Sequence, residues 1–142
     1  MKVLFDTNVV LDVLLAREPF VRPATLLLCM VDRGEIRGLL GATTLTTLHY
    51  LASKGIGRER AREQVRRLLD LFDVAPVDRE VLHQALEVDF PDFEDAVLHE
   101  AARAVGAEAI VTRNGNDFRQ ATLPVYTPEE LLRALQAKRG LS

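Results

Sequence analysis

One segment near the start of the chain decides the fold: Lys2-Val3-Leu4-Phe5-Asp6-Thr7-Asn8-Val9-Val10-Leu11-Asp12. Its first half is a short apolar run that ends at an acid, which is typical of a buried strand. Its second half begins an apolar stripe at helical spacing, formed by Val9, Val10, Val13 and Leu14. A strand that passes directly into a helix predicts the first unit of a parallel α/β fold, with Asp6 at the strand's carboxyl end.

The rest of the chain repeats this alternation. Apolar runs predict five strands, at about 2–6, 38–42, 72–76, 109–112 and 124–126. Helical patterns lie between them at 9–14, 20–33, 44–53, 58–71, 78–88 and 93–105, and Thr127-Pro128-Glu129-Glu130 predicts the start of a last helix. The pattern predicts one domain over residues 1–142, a three-layer α/β/α sandwich around a parallel sheet. In such sheets ligands bind beyond the carboxyl ends of the strands.

Composition excludes several classes of protein. The 142 residues are 48% hydrophobic and carry a net charge of −3. This charge argues against a protein that coats nucleic acid through an overall positive charge. The net charge does not exclude a nuclease whose metal site is built from carboxylates, because these carboxylates themselves lower the net charge. The single cysteine, Cys29, excludes a disulfide framework and a thiolate metal site, and its apolar neighbours predict a small buried side chain.

Neither the N-terminal residues nor the apolar runs of the sequence favour membrane association. The first residues lack the apolar core and the small-residue cleavage site of a signal peptide. No apolar run approaches the length of a transmembrane helix. We therefore expect a cytoplasmic protein without membrane association.

Acidic residues follow the predicted strand ends and could converge. Asp6 follows the first strand, Asp92-Phe93-Glu94-Asp95 opens a helix, and Asp117 lies just beyond Ala109-Ile110-Val111-Thr112. Converging carboxylates repel one another unless they are protonated or bridged by a cation, and Mg²⁺ or Mn²⁺ prefers such oxygen ligands. Asn8, Thr112 and Asn114 are suited to support the acids by hydrogen bonds.

Each acid also has a purely structural interpretation. Asp6 and Asp92 are good helix N-caps, with Asp95 answering Asp92 three residues later, and Asp117 suits an exposed turn. Glu94 is expected on the side of the helix opposite Asp92. Asp12 is expected on a helix surface without a role.

Taken together, the motifs resemble those of the PIN-domain ribonucleases, which include the VapC-type toxins of bacterial toxin–antitoxin pairs. The resemblance rests on Val3 to Asp12, Asp92-Phe93-Glu94-Asp95-Ala96, Thr112-Arg113-Asn114 through Asp117-Phe118, and the closing Thr127-Pro128-Glu129-Glu130. It covers essentially the whole chain. It implies cleavage of RNA with Mg²⁺ or Mn²⁺, with Asp6, Asp95 and Asp117 as the catalytic metal ligands and Asp92 adjoining them. It also implies a cognate antitoxin as a partner.

One position departs from the family's pattern. The family usually has a glutamate in the helix after the second strand, where this chain has Thr47. Threonine contacts a bound water but brings no charge. The missing charge leaves open a second reading, a PIN-like RNA- or protein-binding module without catalysis. Leucines around 26–28 and 45–51 would supply a surface for a homodimer or an antitoxin.

The basic residues and the histidines have separate interpretations. Arg113, Arg119 and Lys54 are candidate contacts for RNA phosphates, while Arg58, Arg62 and Arg66 are better explained as a solvated helix face. His49 is predicted to be structural, and His83 and His99 are predicted on polar helix faces.

Two phosphate-handling α/β classes fit less well. A haloacid-dehalogenase-type phosphatase needs a second aspartate where this chain has Asn8. A receiver domain needs an aspartate at the end of the third strand, whereas Asp73 falls inside it.

Overall fold

The structure, a computed structural model, describes residues 1–140 and contains the predicted alternation of strands and helices. The strands are β1 (Lys2–Phe5), β2 (Arg37–Gly41), β3 (Asp73–Ala75), β4 (Ala109–Val111) and β5 (Val125–Tyr126). The helices are α1 (Thr7–Leu14), α2 (Val21–Asp32), α3 (Ala42–Ile56), α4 (Arg58–Leu71), α5 (Arg79–Glu87), α6 (Phe93–Ala104) and α7 (Pro128–Gly140). A short 3₁₀ turn, Gly115–Phe118, follows β4.

The five strands form one parallel sheet in the order β3-β2-β1-β4-β5. The chain first adds strands on one side of β1 and then adds β4 and β5 on the other side. The strand order therefore reverses between β1 and β4, and Phe5 pairs there with Val111. This is the position at which parallel sheets usually bind ligands.

Two apolar cores cover the two faces of the sheet, which confirms the predicted three layers. Alternate residues of β1 and β4 point to opposite faces, because side chains of a strand alternate. Val3, Phe5 and Val111 pack with α1, α2, α3, α4 and α7. Leu4 and Ile110 pack with α5 and α6 on the other face.

Most helix boundaries lie within two residues of their predicted positions. The bounds of α4 agree with the prediction, since its apolar stripe is flanked by Gly57. The helix α3 is longer than predicted and passes through Gly55, whose missing side chain makes room for Leu15. It stops at Gly57, where φ is +90°. Thr127 and Glu130 form the predicted capping box of α7.

The predicted burial of Cys29 and the predicted polar, exposed position of His99 were wrong. Cys29 is exposed, because α2 turns Leu27, Met30 and Val31 toward the core instead. His99 is only 1% exposed, because α6 is covered on nearly all sides and buries every residue from 96 to 102. Within residues 1–140, no helix is both long enough and apolar enough to cross a membrane.

Candidate active site

The register of β1 and β4 brings Asp6 against Thr112. The backbone N–H of Asp6 donates to the carbonyl of Val111 at 2.9 Å, which continues the strand pairing by one residue. The Thr112 hydroxyl, fully buried, then donates to Asp6 Oδ2 at 2.7 Å. Asp6 is 6% exposed, so these contacts fix a carboxylate that the solvent hardly reaches.

Two asparagines extend this network. Asn8 Nδ2 donates to Asp6 Oδ2 at 3.2 Å and to the Thr112 hydroxyl at 3.3 Å. The backbone N–H of Asn114 donates to the same hydroxyl at 3.0 Å. Asp6 Oδ1 accepts the backbone N–H of Thr7 and caps α1. Asp6 is therefore both a helix cap and a member of the acidic cluster.

The start of α6 brings three more acids to the same place. Asp92 caps the helix, as predicted, by accepting the N–H of Glu94 at 2.8 Å. Asp95 does not complete a capping box, and its half-buried carboxylate accepts no hydrogen bond from residues 1–140. Glu94 also lines the same pocket as Asp92, although its expected place on the other side of the helix start made it the weaker candidate.

These acids and Asp117 line one pocket of about 360 Å³ at the carboxyl end of the sheet. Asp117 comes from the 3₁₀ turn after β4, where its backbone N–H donates to the carbonyl of Asn114 at 3.0 Å. The structure therefore brings together all the acids for which the sequence suggested convergence: Asp6, Asp92, Asp95 and Asp117.

Burial and mutual repulsion oppose the ionisation of two of these acids. Burial raises the pKa of Asp6 above its usual value, and the nearby Asp117 charge adds to this, while the bonds from Thr112, Thr7 and Asn8 lower it. Burial also raises the pKa of Asp95, to about 7, together with the charges of Asp6, Asp92, Asp117 and Glu94. Carboxylates whose ionisation is opposed in this way favour a proton or a cation.

The chemistry of the pocket fits a hard divalent cation. Its candidate donors are carboxylate oxygens, which Mg²⁺ and Mn²⁺ prefer. Among residues 1–140, no three acids, histidines or cysteines already stand close enough to ligate a single ion. The acids that line the pocket would therefore have to come closer together before they could share one cation.

The start of α3 contributes three threonines to the wall of the pocket. Thr43, Thr44 and Thr47 line the pocket, and the Thr47 hydroxyl donates to the carbonyl of Thr43 at 3.2 Å. The Thr44 and Thr7 hydroxyls lie 3.2 Å apart. Thr47 thus lies in the pocket wall, and this part of the wall contributes hydroxyl groups but no charge.

The burial of Asp12 beside the pocket was not predicted from the sequence. Asp12 was predicted on a helix surface, but it is fully buried and pairs with both Arg17 and Arg113. Both arginines line the pocket. One signal was available, since Asp12 lies three residues after Val9 and so shares the apolar face of α1. Its partner Arg113 is 101 residues away, so no local spacing indicates that pair.

The other basic candidates and the histidines are not at the pocket. Lys54 lies over the ring of Tyr50, 4.3 Å from its centroid, and Arg119 is exposed. Neither lines the pocket, and neither does His49. Asp73, which a receiver domain would require at the end of β3, begins that strand and pairs with Arg37.

Comparison with known proteins identifies relatives of this chain. Ribonuclease VapC1 of Aquifex aeolicus (strain VF5) is 23% identical over 134 residues, covering 91% of this chain and 92% of the relative. The fold is similar to DNA-bound VapBC of Salmonella typhimurium, with a TM-score of 0.70, 18% identity, and coverage of 90% and 98% of the two chains. It is also similar to a toxin–antitoxin complex from Klebsiella pneumoniae, with a TM-score of 0.67, 23% identity, and coverage of 89% and 97%.

The sequence also matches the model of a known domain family. The match spans residues 2–116 and is described as a PIN domain. It contains β1 through β4, and with them Asp6, Asp92, Asp95 and Thr112. It follows that the chain belongs to the PIN-domain family.

Proposed function

We propose that this protein is a metal-dependent endoribonuclease that hydrolyses RNA phosphodiester bonds. The observation that carries the proposal is the convergence of Asp6, Asp95 and Asp117 on one pocket, where the pKa of Asp95 is raised to about 7. The similarity to ribonuclease VapC1 supports RNA as the substrate. Asp6, Asp95 and Asp117 are the proposed catalytic residues, with Asp92 adjoining them.

The same three acids would hold Mg²⁺ or Mn²⁺. When bound, such an ion lowers the pKa of water and offsets charge on the phosphoryl oxygens. Thr112 and Asn8 orient Asp6 through the hydrogen bonds described above, so that its carboxylate needs little reorganisation. Asp95 must release its proton before it can act as a ligand.

A protein partner and a second copy of the chain are part of the proposal. The similarity to a toxin–antitoxin complex supports an antitoxin that binds and restrains the enzyme. A homodimer would use apolar side chains that remain on the surface. Leu26, in one of the two leucine-rich stretches, is 47% exposed, whereas Leu27 and Leu48 are buried in the core.

Replacing Asp6 tests the catalytic proposal. Asp6→Asn keeps the shape of the side chain but removes the central negative charge, and RNA cleavage with Mn²⁺ should fall at least about 100-fold. Asp70→Asn, at an exposed position of α4, is the matched control and should cleave like the wild type. Equal cleavage by the wild type and Asp6→Asn would overturn the assignment.

Thr47 favours one alternative, a module that binds RNA or protein without cleaving it. The helix α3, which would carry the family's glutamate, contributes threonines and a leucine to the pocket but no charge. Calorimetric titration with Mn²⁺ separates the two functions. A wild-type protein that binds no Mn²⁺ at millimolar concentration and leaves RNA intact would support the module.

A further inference from the structure

A cluster of one acid and two arginines borders the acidic pocket on the side of α1. Asp12 is 0% exposed and accepts hydrogen bonds from Arg17 Nε at 2.8 Å and from Arg113 Nε at 2.6 Å. Arg113 Nη2 adds a third bond at 3.2 Å. A buried carboxylate requires such partners, but a single arginine would balance its charge. The second arginine leaves the cluster with one net positive charge.

Both guanidinium groups are held in place by further contacts. Arg113 stacks on Phe20, with its Cζ 3.9 Å from the ring centroid. Arg17 Nη2 approaches the carbonyl of Asn8 at 3.5 Å. These contacts use Nε and Nη2 of each arginine, and neither Nη1 has a hydrogen-bond partner among residues 1–140. The two side chains are 37% and 24% exposed, so both oriented guanidinium-bearing side chains are partly accessible.

Asn8 connects the arginine cluster with the carboxylates. Its Oδ1 accepts the backbone N–H of Arg113 at 3.2 Å, while its Nδ2 donates to Asp6. Arg17 and Arg113 line the same pocket as Asp6, Asp95 and Asp117. The pocket therefore has an acidic part and a basic part, separated by a single asparagine. A polyanion that runs through it would meet both.

We propose that Arg17 and Arg113 form a subsite for one backbone phosphate of the RNA, next to the phosphate at the carboxylates. Asp12 is a positioning residue that orients both guanidinium groups. The inference rests on the proposed function and adds to it the part of the site that holds the strand. Planar guanidinium groups suit phosphate oxygens, and fixed donors lose little entropy on binding. The subsite also explains how an acidic pocket admits a negatively charged strand.

A binding experiment that needs no cleavage tests the subsite first. The probe is a fluorescent RNA oligonucleotide, and its binding is followed by anisotropy with Ca²⁺ in place of Mg²⁺ or Mn²⁺; gel electrophoresis afterwards checks that the probe is intact. Arg17→Gln should weaken binding about 10-fold and lower the slope of log K against log salt by about one. Arg60→Gln removes the same charge at an exposed position away from the pocket and should change binding less than 2-fold. Equal losses in the two variants would mean a nonspecific charge effect and overturn the proposal.

Steady-state kinetics provide the second readout. Arg17→Gln should raise KM about 10-fold and leave kcat within 2-fold of the wild type, because it acts on a remote phosphate. A neutral methylphosphonate is then placed at each linkage beside the mapped cleavage site. At one linkage it should raise KM for the wild type but not further for Arg17→Gln. Additive effects at every linkage would contradict the subsite.

Failure of the subsite is distinguishable from failure of the proposed function. The three carboxylates keep their contacts in Arg17→Gln, so calorimetric Mn²⁺ binding should match the wild type. If the wild type cleaves RNA and Arg17→Gln behaves identically, only the subsite is wrong. If the wild type neither binds Mn²⁺ nor cleaves, the enzyme proposal is wrong, and the anisotropy experiment still decides the subsite.

Discussion

Asp95 is an acid whose ionisation is opposed both by burial and by four neighbouring acids. No hydrogen bond from residues 1–140 compensates it, in contrast to Asp6, which accepts bonds from Thr7, Asn8 and Thr112. The hydrogen bonds therefore fix the orientation of the Asp6 carboxylate, whereas the half-buried Asp95 carboxylate is repelled by the neighbouring acids and has no hydrogen bond within the described part of the chain to offset this. Both acids have raised pKa values, and Asp95, whose pKa is about 7, is one acid through which pH is expected to act on the site.

The stability of the metal-free protein should fall as pH rises from about 4 to 7. The folded-state pKa of Asp95, about 7, lies above its unfolded value of 3.8, so the folded state holds the proton more tightly and loses this advantage on titration. Asp95→Asn should remove much of this fall and raise the Tm at pH 8. Thermal unfolding in EDTA between pH 4 and 8 measures both. Parallel profiles for the variant and the wild type would contradict the assignment.

A substitution at Thr47 tests whether an added carboxylate strengthens metal binding. Thr47→Glu places a carboxylate on the uncharged part of the pocket wall and should tighten Mn²⁺ binding about 10-fold, because affinity grows with ligand charge. Cleavage at low Mn²⁺ should rise with it. Thr46→Glu adds the same charge at the adjacent exposed residue, outside the pocket. The idea fails if both variants bind Mn²⁺ like the wild type.

The sequence indicates acids at strand ends better than it indicates ion pairs. Asp6 and Asp117 could be placed together because parallel strands end at one edge of a sheet. The burial of Asp12 depends on Arg113, which is 101 residues away, and on the stacking of Arg113 on Phe20. Such pairings depend on tertiary packing, and no local spacing encodes them.

His99 connects the helix α6 with the segment that follows the 3₁₀ turn. It lies one turn after Asp95 on α6, and its Nε2 accepts the backbone N–H of Thr122 at 3.0 Å, in the segment after the 3₁₀ turn. Nδ1 therefore carries the proton and donates to Glu100 at 2.6 Å. Phe90 contacts both the His99 ring and Phe118, the neighbour of Asp117. His99 thus helps to fix α6 relative to the turn.

Loss of this connection should lower both stability and metal affinity. His99→Ala leaves the Thr122 N–H without its partner and removes the His99 hydrogen bond to the buried Glu100, which keeps only Arg103, and it should cost about 2–4 kcal/mol of unfolding free energy. Mn²⁺ binding should weaken as well, since Asp95 and Asp117 lie on the two connected elements. His83→Ala, on an exposed position of α5, should change stability by less than about 0.5 kcal/mol. Urea unfolding and calorimetry measure the two effects, and unchanged Mn²⁺ affinity in His99→Ala would limit His99 to stability.

Elements with strong local signals were predicted closely, and those determined by packing were not. The helix α4 alternates arginines with an apolar stripe and starts after a glycine, so its bounds follow from the sequence. The continuation of α3 through Gly55 depends on the close approach of Leu15, a residue of another segment. The burial of His99 follows likewise from the way α5 and the segment around residue 122 cover α6.

For the whole molecule, the acidic pocket predicts a fold that cations stabilise. Five acids line it against two arginines, so the metal-free protein carries an unfavourable local charge. Mn²⁺ at 100 times its Kd should add about 2.7 kcal/mol to the unfolding free energy and raise the Tm by roughly 5–10 °C. EDTA should reverse the shift, and Asp6→Asn should show little of it. Equal shifts in Asp6→Asn would place the ion elsewhere.

The pairing of β1 with β4 also has a consequence for the order of protein synthesis. Asp6 emerges from the ribosome early, but its hydrogen-bond partner Thr112 is made 106 residues later and Asp117 later still. A nascent chain that ends before β4 lacks the strand against which Asp6 is oriented. Under the proposed function, such a chain has no complete site, so RNA near the ribosome, including its own messenger, is spared until residue 117 has been translated.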